Sequence, residues 1–335
     1  MILVTGATGL LGSHLLYELT SKGESCVALC HSKNKILQVT DLFNYYNPSK
    51  ADEFLKQITW KEGDLLDIFF LKDLFTDITH VYHCAAKVSF FKSDFSECMR
   101  QNREATANIV NFCLKYKVEK LCYVSSTAAI GNNSKGFTTE KDKWEIEENN
   151  SGYSISKFSA EKEVWRGIEE GLTAVIINPC VILGPGNWES GSLSIFKTGK
   201  KGLLFYPSGS NATVDARDVA FCMRFLMKST IHSERFLCVG TNQSFKELFT
   251  VVCSKMKSSL PKYQAPKYIA LFSAYVIEFF SRFTGKKSGL SIETVHSAYK
   301  NITYDVSKIE ADVPIKFRTL DETVENVLNS RTNQY

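Results

Sequence analysis

The sequence has no long hydrophobic run, no metal-type cysteine pair, no clustered charge and no internal repeat or low-complexity segment. Each absence excludes a class. The longest apolar stretch, residues 268–283, falls short of the roughly 20 residues a bilayer span needs and carries Glu278 and Arg282. It is expected to form a buried amphipathic helix. None of the ten cysteines forms a C-x-x-C pair, so no metal is expected and the thiols should be reduced and mostly buried. Net charge is a mild +4 with lysines scattered, which gives nucleic acid no support as a partner. The first strand starts at Ile2 with no basic segment before it, so no secretion signal and a cytoplasmic location are expected. What remains is a globular chain of 335 residues, 44% hydrophobic, enough for one large domain or two smaller ones.

The most informative stretch is Thr5-Gly-Ala-Thr-Gly9-Leu-Leu-Gly12. It follows a short apolar run suited to a buried strand. An amphipathic helix over about residues 10–22 follows, with Leu11, Leu15, Leu16 and Leu19 on one side and Gly23 as its stop. Strand, glycine turn and helix form the context a dinucleotide fingerprint requires. Gly6 permits the sharp turn, Gly9 lets backbone approach phosphate, and Gly12 lets helix and strand pack closely. The helix N-terminus offers free N–H groups and a positive dipole end to a pyrophosphate. The plainer alternative is a glycine turn that binds nothing.

Strand-like runs near 25–30, 58–61, 79–83, 120–125 and 172–178 alternate with helical patterns, including long helices near 96–116 and 153–170. This alternation predicts an α/β fold, a Rossmann-type doubly wound parallel sheet. After Pro179 the pattern loosens into glycine-punctuated and short helical segments. Residues 1–178 are therefore expected to form the dinucleotide-binding domain, with segments near 214–240 returning to it. Residues 179–213 and 241–330 are expected to form a smaller, mainly helical substrate lobe over the strand ends.

Tyr-x-x-x-Lys occurs five times, so position must choose among the copies. Tyr46/Lys50 and Tyr263/Lys267 contain Pro48 and Pro266, which break a helix. Tyr116/Lys120 passes from a helix into a strand, and Tyr304/Lys308 lies far beyond the sheet. Tyr153/Lys157 sits early in a helix, after a strand that ends at Ser125-Ser126-Thr127. A phenol titrates near 10. A lysine four residues on shares its helix face and is expected to lower that value. Ser126 can hydrogen-bond the substrate oxygen, and Tyr153 can move its proton while a nicotinamide exchanges hydride. A surface i,i+4 pair and a strand-end cap are the plainer readings.

These residues together resemble the extended short-chain dehydrogenase/reductases, in the broad NAD-dependent epimerase/dehydratase group. The resemblance rests on residues 5–12, Gly63-Asp64-Leu65, His83-Cys-Ala-Ala86, Asn102 with Thr106 and Asn108, Val124-Ser-Ser126, Tyr153–Lys157 and Pro179-x-x-x-x-Gly184-Pro185. It implies cofactor contacts from Gly6, Thr8, Gly9, Leu10, Leu11 and Gly12. It further implies Asp64 and Leu65 at the adenine, and Ala85, Ala86, Lys87 and Asn102 along the dinucleotide. Val124, Ser125, Tyr153, Lys157, Pro179 and Val181 would surround the nicotinamide side. Position before Gly131 gives the family's catalytic serine role to Ser126. Dimerisation through the two long helices is implied as well.

The second strand ends Cys30-His31-Ser32-Lys33-Asn34-Lys35, without the acid that selects NAD by bonding the ribose 2′-OH. His31, Ser32 and Lys35 therefore favour NADP over NAD, although the family's NADP-type members tend to have Arg where His31 stands. The sequence around Ile177-Asn178-Pro179 resembles the dihydroflavonol reductase and 3β-hydroxysteroid dehydrogenase branch, with Asn178 replacing the usual Arg. The lobe is poor in Arg, the natural diphosphate partner, and rich in aromatics: Trp188, Phe196, Phe205, Tyr206, Tyr263, Tyr268, Phe272 and Tyr275. Three in four of those rings are assigned to the core, and Arg217 beside Asp218 reads as a structural ion pair. Three readings stand: an NAD(P)-dependent reductase or dehydrogenase of a ketone or secondary alcohol, a nucleotide-sugar epimerase/dehydratase with tightly held NAD, and a non-catalytic dinucleotide sensor.

Overall fold

The computed structural model describes residues 1–133, 136–147, 150–189, 191–284 and 290–332. Seven parallel strands carry the molecule: β1 (Ile2–Thr5), β2 (Cys26–Cys30), β3 (Ile58–Glu62), β4 (His80–His83), β5 (Lys120–Val124), β6 (Ala174–Pro179) and β7 (Glu234–Cys238). Their order across the sheet is β7-β6-β5-β4-β1-β2-β3. The order reverses between β1 and its neighbours β2 and β4, so their C-terminal ends diverge into a crevice there. Both faces are covered. Leu3, Val81, Leu121, Tyr123 and Ile176 pack on one side, and Val4, Tyr82, Cys122, Val175 and Ile177 on the other. That two-sided burial explains why these strands read as continuous apolar runs.

Helix α1 (Leu10–Ser21) buries Leu11, Leu15, Leu16 and Leu19, each worth roughly 1.5–3 kcal/mol. It ends where Gly23 takes φ 79°. There the Glu24 N–H bonds the Leu19 carbonyl and the Gly23 N–H bonds that of Thr20, closing a Schellman cap. After β2, helices Ile36–Tyr46 and Ala51–Leu55 flank Pro48. The expected long helix near 96–116 is interrupted. Phe95–Cys98 and α2 (Ala105–Lys115) flank a π-helical turn, Met99–Glu104, which carries Asn102. Such turns gather at functional sites. Helix α3 (Gly152–Glu169) packs beside α2 and runs antiparallel to the strand it precedes.

Beyond β6, Val181–Leu183, Ser210–Asp215 and Thr241–Ser244 make a second, three-stranded sheet. Phe205–Tyr206 pairs with Tyr263–Gln264. The C-terminal part is helical, with α4 (Phe245–Lys255), α5 (Lys267–Thr284), α6 (Ile292–Ala298) and α7 (Leu320–Thr332) among its members. Two expectations fail here. Helix α5 is not buried: Tyr268, Phe272 and Phe280 are 72%, 70% and 59% exposed. Of the eight lobe aromatics only Phe196 is fully buried. Amphipathic spacing fixes which residues share a face but not which face meets the protein. Arg217 pairs with Asp215, while Asp218 takes Arg318. All ten cysteines are free thiols and nine are buried.

Candidate functional site

At the end of β1, Gly6 turns the chain with φ 65°, a conformation that L side chains rarely adopt. A Cβ on Gly6 would stand 2.6 Å from the Ala85 nitrogen, and one on Gly12 only 2.2 Å from the Gly6 carbonyl. Gly9 differs: it is exposed, and an added Cβ would meet only the Gly6 carbonyl, at 3.2 Å. Helix α1 starts there with no side-chain cap and no acid in its first turn. Thr8 and Leu10 border the turn half-buried, while Leu11 packs into the core.

A buried polar chain crosses the sheet beneath this turn. Thr5 Oγ lies 2.6 Å from His83 Nδ1, and His83 Nε2 lies 3.0 Å from Thr106 Oγ. Burial drives His83 down to about 3, with the Lys157 charge acting the same way, so the ring is neutral. The Ala85 N–H donates to Thr5 Oγ. Asn102 clamps the next loop, accepting from the Lys87 N–H and donating to the Lys87 carbonyl and to Ser156 Oγ on α3. Ala86 stays exposed beside it. At the β3 end, Asp64 Oδ1 accepts the Leu66 N–H, and Asn108 holds the Leu65 carbonyl. His31 and Lys35 are exposed after β2, where Ser32 opens a short 3-10 turn.

Ser126 and Tyr153 meet beyond the end of β5. The Ser126 hydroxyl accepts the Ala128 N–H and stands close enough to the Tyr153 phenol to favour its ionised form. Burial raises the phenol above its ordinary 10, opposed by Ser126. Phe90 packs edge-on against its ring, centroids 5.6 Å apart. Lys157 is placed differently from the expectation. Its fully buried ammonium donates to Tyr123 Oη and to the Val124 carbonyl, both at 2.8 Å, and lies over the Tyr123 ring. Burial pulls it down to about 7, opposed by Glu161. It is not among the groups that shift Tyr153, so the expected lowering of the phenol by Lys157 gives way to raising by burial.

Ser125 turns away from the crevice and donates to Glu161 Oε2 at 2.6 Å. This leaves Ser126 as the serine beside the phenol. Glu161, eight residues after Tyr153 and four after Lys157, is buried under the site. It also accepts from Asn178 Nδ2 at 2.7 Å, Arg235 Nη1 at 3.0 Å and Trp165 Nε1 at 3.2 Å. Asn178 stands where an arginine was expected, and Arg235, one strand over on β7, brings a guanidinium to the same carboxylate. Pro179 is buried and Val181 half-buried at the β6 exit. Sequence reasoning missed Tyr123, Glu161, Arg235 and Phe90. The i,i+4,i+8 spacing of Tyr153, Lys157 and Glu161 was a usable signal; the β7 residue had none, since strand neighbours are set by topology. Of the other Tyr-x-x-x-Lys copies, Lys120 is tied to the Leu226 and Ser229 carbonyls and Lys308 to Glu234. Tyr304 is buried, its N–H donating to Asn242 Oδ1 and its carbonyl accepting from Asn242 Nδ2.

Comparison with known proteins identifies the family. The family model described as NAD dependent epimerase/dehydratase matches residues 2–238. The chain belongs to that family. This epimerase/dehydratase-family chain is 25% identical over 315 residues to a putative dihydroflavonol 4-reductase of Synechocystis sp., covering 91% of this chain and 87% of the relative. It is 26% identical over 242 residues to sterol demethylase protein B of Methylococcus capsulatus, covering 71% and 69%. Its fold matches UDP-glucose 4-epimerase of Thermotoga maritima with a TM-score of 0.75 at 18% identity, covering 99% of each chain. It is thus an enzyme of the extended short-chain dehydrogenase/reductase type in an NAD-dependent family. A dinucleotide fits the residues present: the uncapped start of α1 faces the opening at Gly9, and two acceptors on Lys157 leave a third N–H.

Proposed function

We propose that this enzyme reduces an apolar ketone, or oxidises the matching secondary alcohol, with Ser126, Tyr153 and Lys157 as its reacting residues. The adjacency of Ser126 and Tyr153 carries the reading, because it puts a donor and a proton source at one point. When bound, the nicotinamide supplies or takes the hydride. Tyr153, protonated at neutral pH, gives its proton to the substrate oxygen during reduction. Ser126 orients that oxygen. Lys157 holds a ribose hydroxyl with its remaining N–H. Reductive relatives and the scarcity of unpaired lobe arginine support an apolar substrate over a nucleotide sugar; Arg217 and Arg318 are both engaged by aspartates.

We further infer NADP(H) preference from His31, Ser32 and Lys35 and the missing acid. The reading assigns residues 1–178, with the 214–240 region, to cofactor binding, and 179–213 with 241–330 to substrate binding. It pairs two copies through α2 and α3, in the cytoplasm. Side-by-side titration of cofactor-stripped protein with NADPH and NADH tests the preference. A 2′-phosphate held by charged groups contributes about 1.5–3 kcal/mol, so NADPH should bind at least roughly tenfold tighter. Equal affinities, or NAD that cannot be stripped, would favour the epimerase chemistry instead.

A further inference from the structure

The exposed side of α5 has no role in the site, yet it is strongly apolar. Tyr268, Phe272, Tyr275, Val276, Phe279 and Phe280 are all exposed and recur at i, i+4, i+7, i+8, i+11 and i+12, one stripe along an 18-residue helix. The inward side is satisfied: Ala274 is fully buried, and Glu278 accepts the Ile292 N–H of α6. Exposed Leu204, Phe205 and Tyr263 lie on or just before the paired strands Phe205–Tyr206 and Tyr263–Gln264, the second of which leads into the helix. Exposed lysines border it: Lys200 and Lys201 just before Leu204, and Lys262 and Lys267 either side of the Tyr263 strand.

We propose that this face seats on an anionic membrane surface, with α5 lying in the interface plane. Aromatic rings on one side and lysines at the edge are the composition of an interfacial helix. Among the described residues no helix is long and apolar enough to cross a membrane, so the contact is peripheral. Charge complementarity favours this occupant, because anionic headgroups offset the lysines at the edge of the face. A link to the site runs from the inward side of α5. Helix α6, bonded to α5 through Glu278, sends Glu293 to the Gly152 N–H, immediately before Tyr153. Seating would thus bring a membrane to the helix pair that reaches the residue before Tyr153, a consequence that rests on the apolar-substrate reading.

The test is co-sedimentation of the full chain with vesicles of phosphatidylcholine alone or mixed with phosphatidylglycerol. The wild type should sediment with the mixed vesicles and lose at least roughly tenfold in partitioning at high salt or in Lys262→Glu/Lys267→Glu. Phe272→Ser/Phe279→Ser/Phe280→Ser should lose binding while keeping its circular dichroism and cofactor affinity. Wild-type protein that stays in the supernatant overturns the proposal. So does a wild-type dimer that the triple variant dissociates without any vesicle binding. Cofactor affinity and ketone turnover in vesicle-free solution are read separately, so vesicle binding can fail while the reductase reading stands, and the reverse.

Discussion

Replacing Glu161 with glutamine keeps the side-chain shape and removes one buried charge. Four donors, from Ser125, Asn178, Arg235 and Trp165, converge on its two oxygens. A glutamine offers one oxygen, so two of those donors must face an NH2 group. Arg235, 19% exposed, also loses its counter-charge. Breaking one partner of such a buried pair costs about 3–5 kcal/mol, and the partial exposure of Arg235 sets the expectation at the lower end, about 3 kcal/mol. A second effect follows at the site. Glu161 opposes the desolvation of Lys157, so its removal lowers Lys157 further below about 7. A reaction that needs the ammonium should then lose kcat/KM at lower pH than wild type. Urea unfolding and a pH–rate profile measure the two effects. The double variant Glu161→Leu/Arg235→Met should recover much of the stability, because no charge is left unpaired, but not the pH limb. A loss below about 1 kcal/mol in Glu161→Gln, with an unmoved pH limb, would refute this reasoning.

Tyr153→Phe should abolish turnover, with cofactor affinity close to wild type in a fluorescence titration; full activity in that variant sinks the proposed proton transfer. Gly9→Val and Gly12→Ala should separate. The first should block the dinucleotide in a binding titration and leave folding intact. The second places a methyl 2.2 Å from the Gly6 carbonyl and should cost about 1–3 kcal/mol of stability in urea unfolding. Lys157 predicts a pH-dependent stability. Its folded value of about 7 lies below the ordinary 10.5, so between these the unfolded chain binds more protons and stability rises with pH. The wild type should therefore gain on Lys157→Met between about pH 7 and pH 10, with the burden fully present below 7. A stability difference that stays flat across this range would show that Lys157 is not desolvated as described.

The fold was legible because each of its signals is local. Continuous apolar runs, the glycine spacing at Gly6, Gly9 and Gly12, and Gly23 after Ser21 each act within a few residues. Pro48 marked a helix break that the structure places there. The site was half legible. Ser126, Tyr153 and Lys157 stand out by chemistry and position; the structure sets Ser126 beside Tyr153 and turns the Lys157 ammonium to Tyr123 and the Val124 carbonyl. The direction of the Lys157 ammonium was not readable, because Tyr123 faces it from a different element. Arg235 was hidden for the same reason: its partnership with Glu161 depends on β7 pairing with β6 in parallel register. Helix α5 shows the remaining limit. Its stripe was visible in the sequence, but whether the stripe packs inward depends on how much protein is available to cover it, and α6 covers only the side bearing Ala274 and Glu278.

The central claim is hydride and proton transfer to a ketone at Ser126 and Tyr153. Its most direct test is deuterium transfer from C4-labelled NADPH, followed in released products by mass spectrometry across a panel of apolar ketones, flavonoid- and sterol-like compounds among them. The account predicts net NADPH oxidation with one deuterium retained in a secondary alcohol product, and none with Tyr153→Phe. Interconversion of a nucleotide sugar with no net cofactor oxidation and no label released would contradict it.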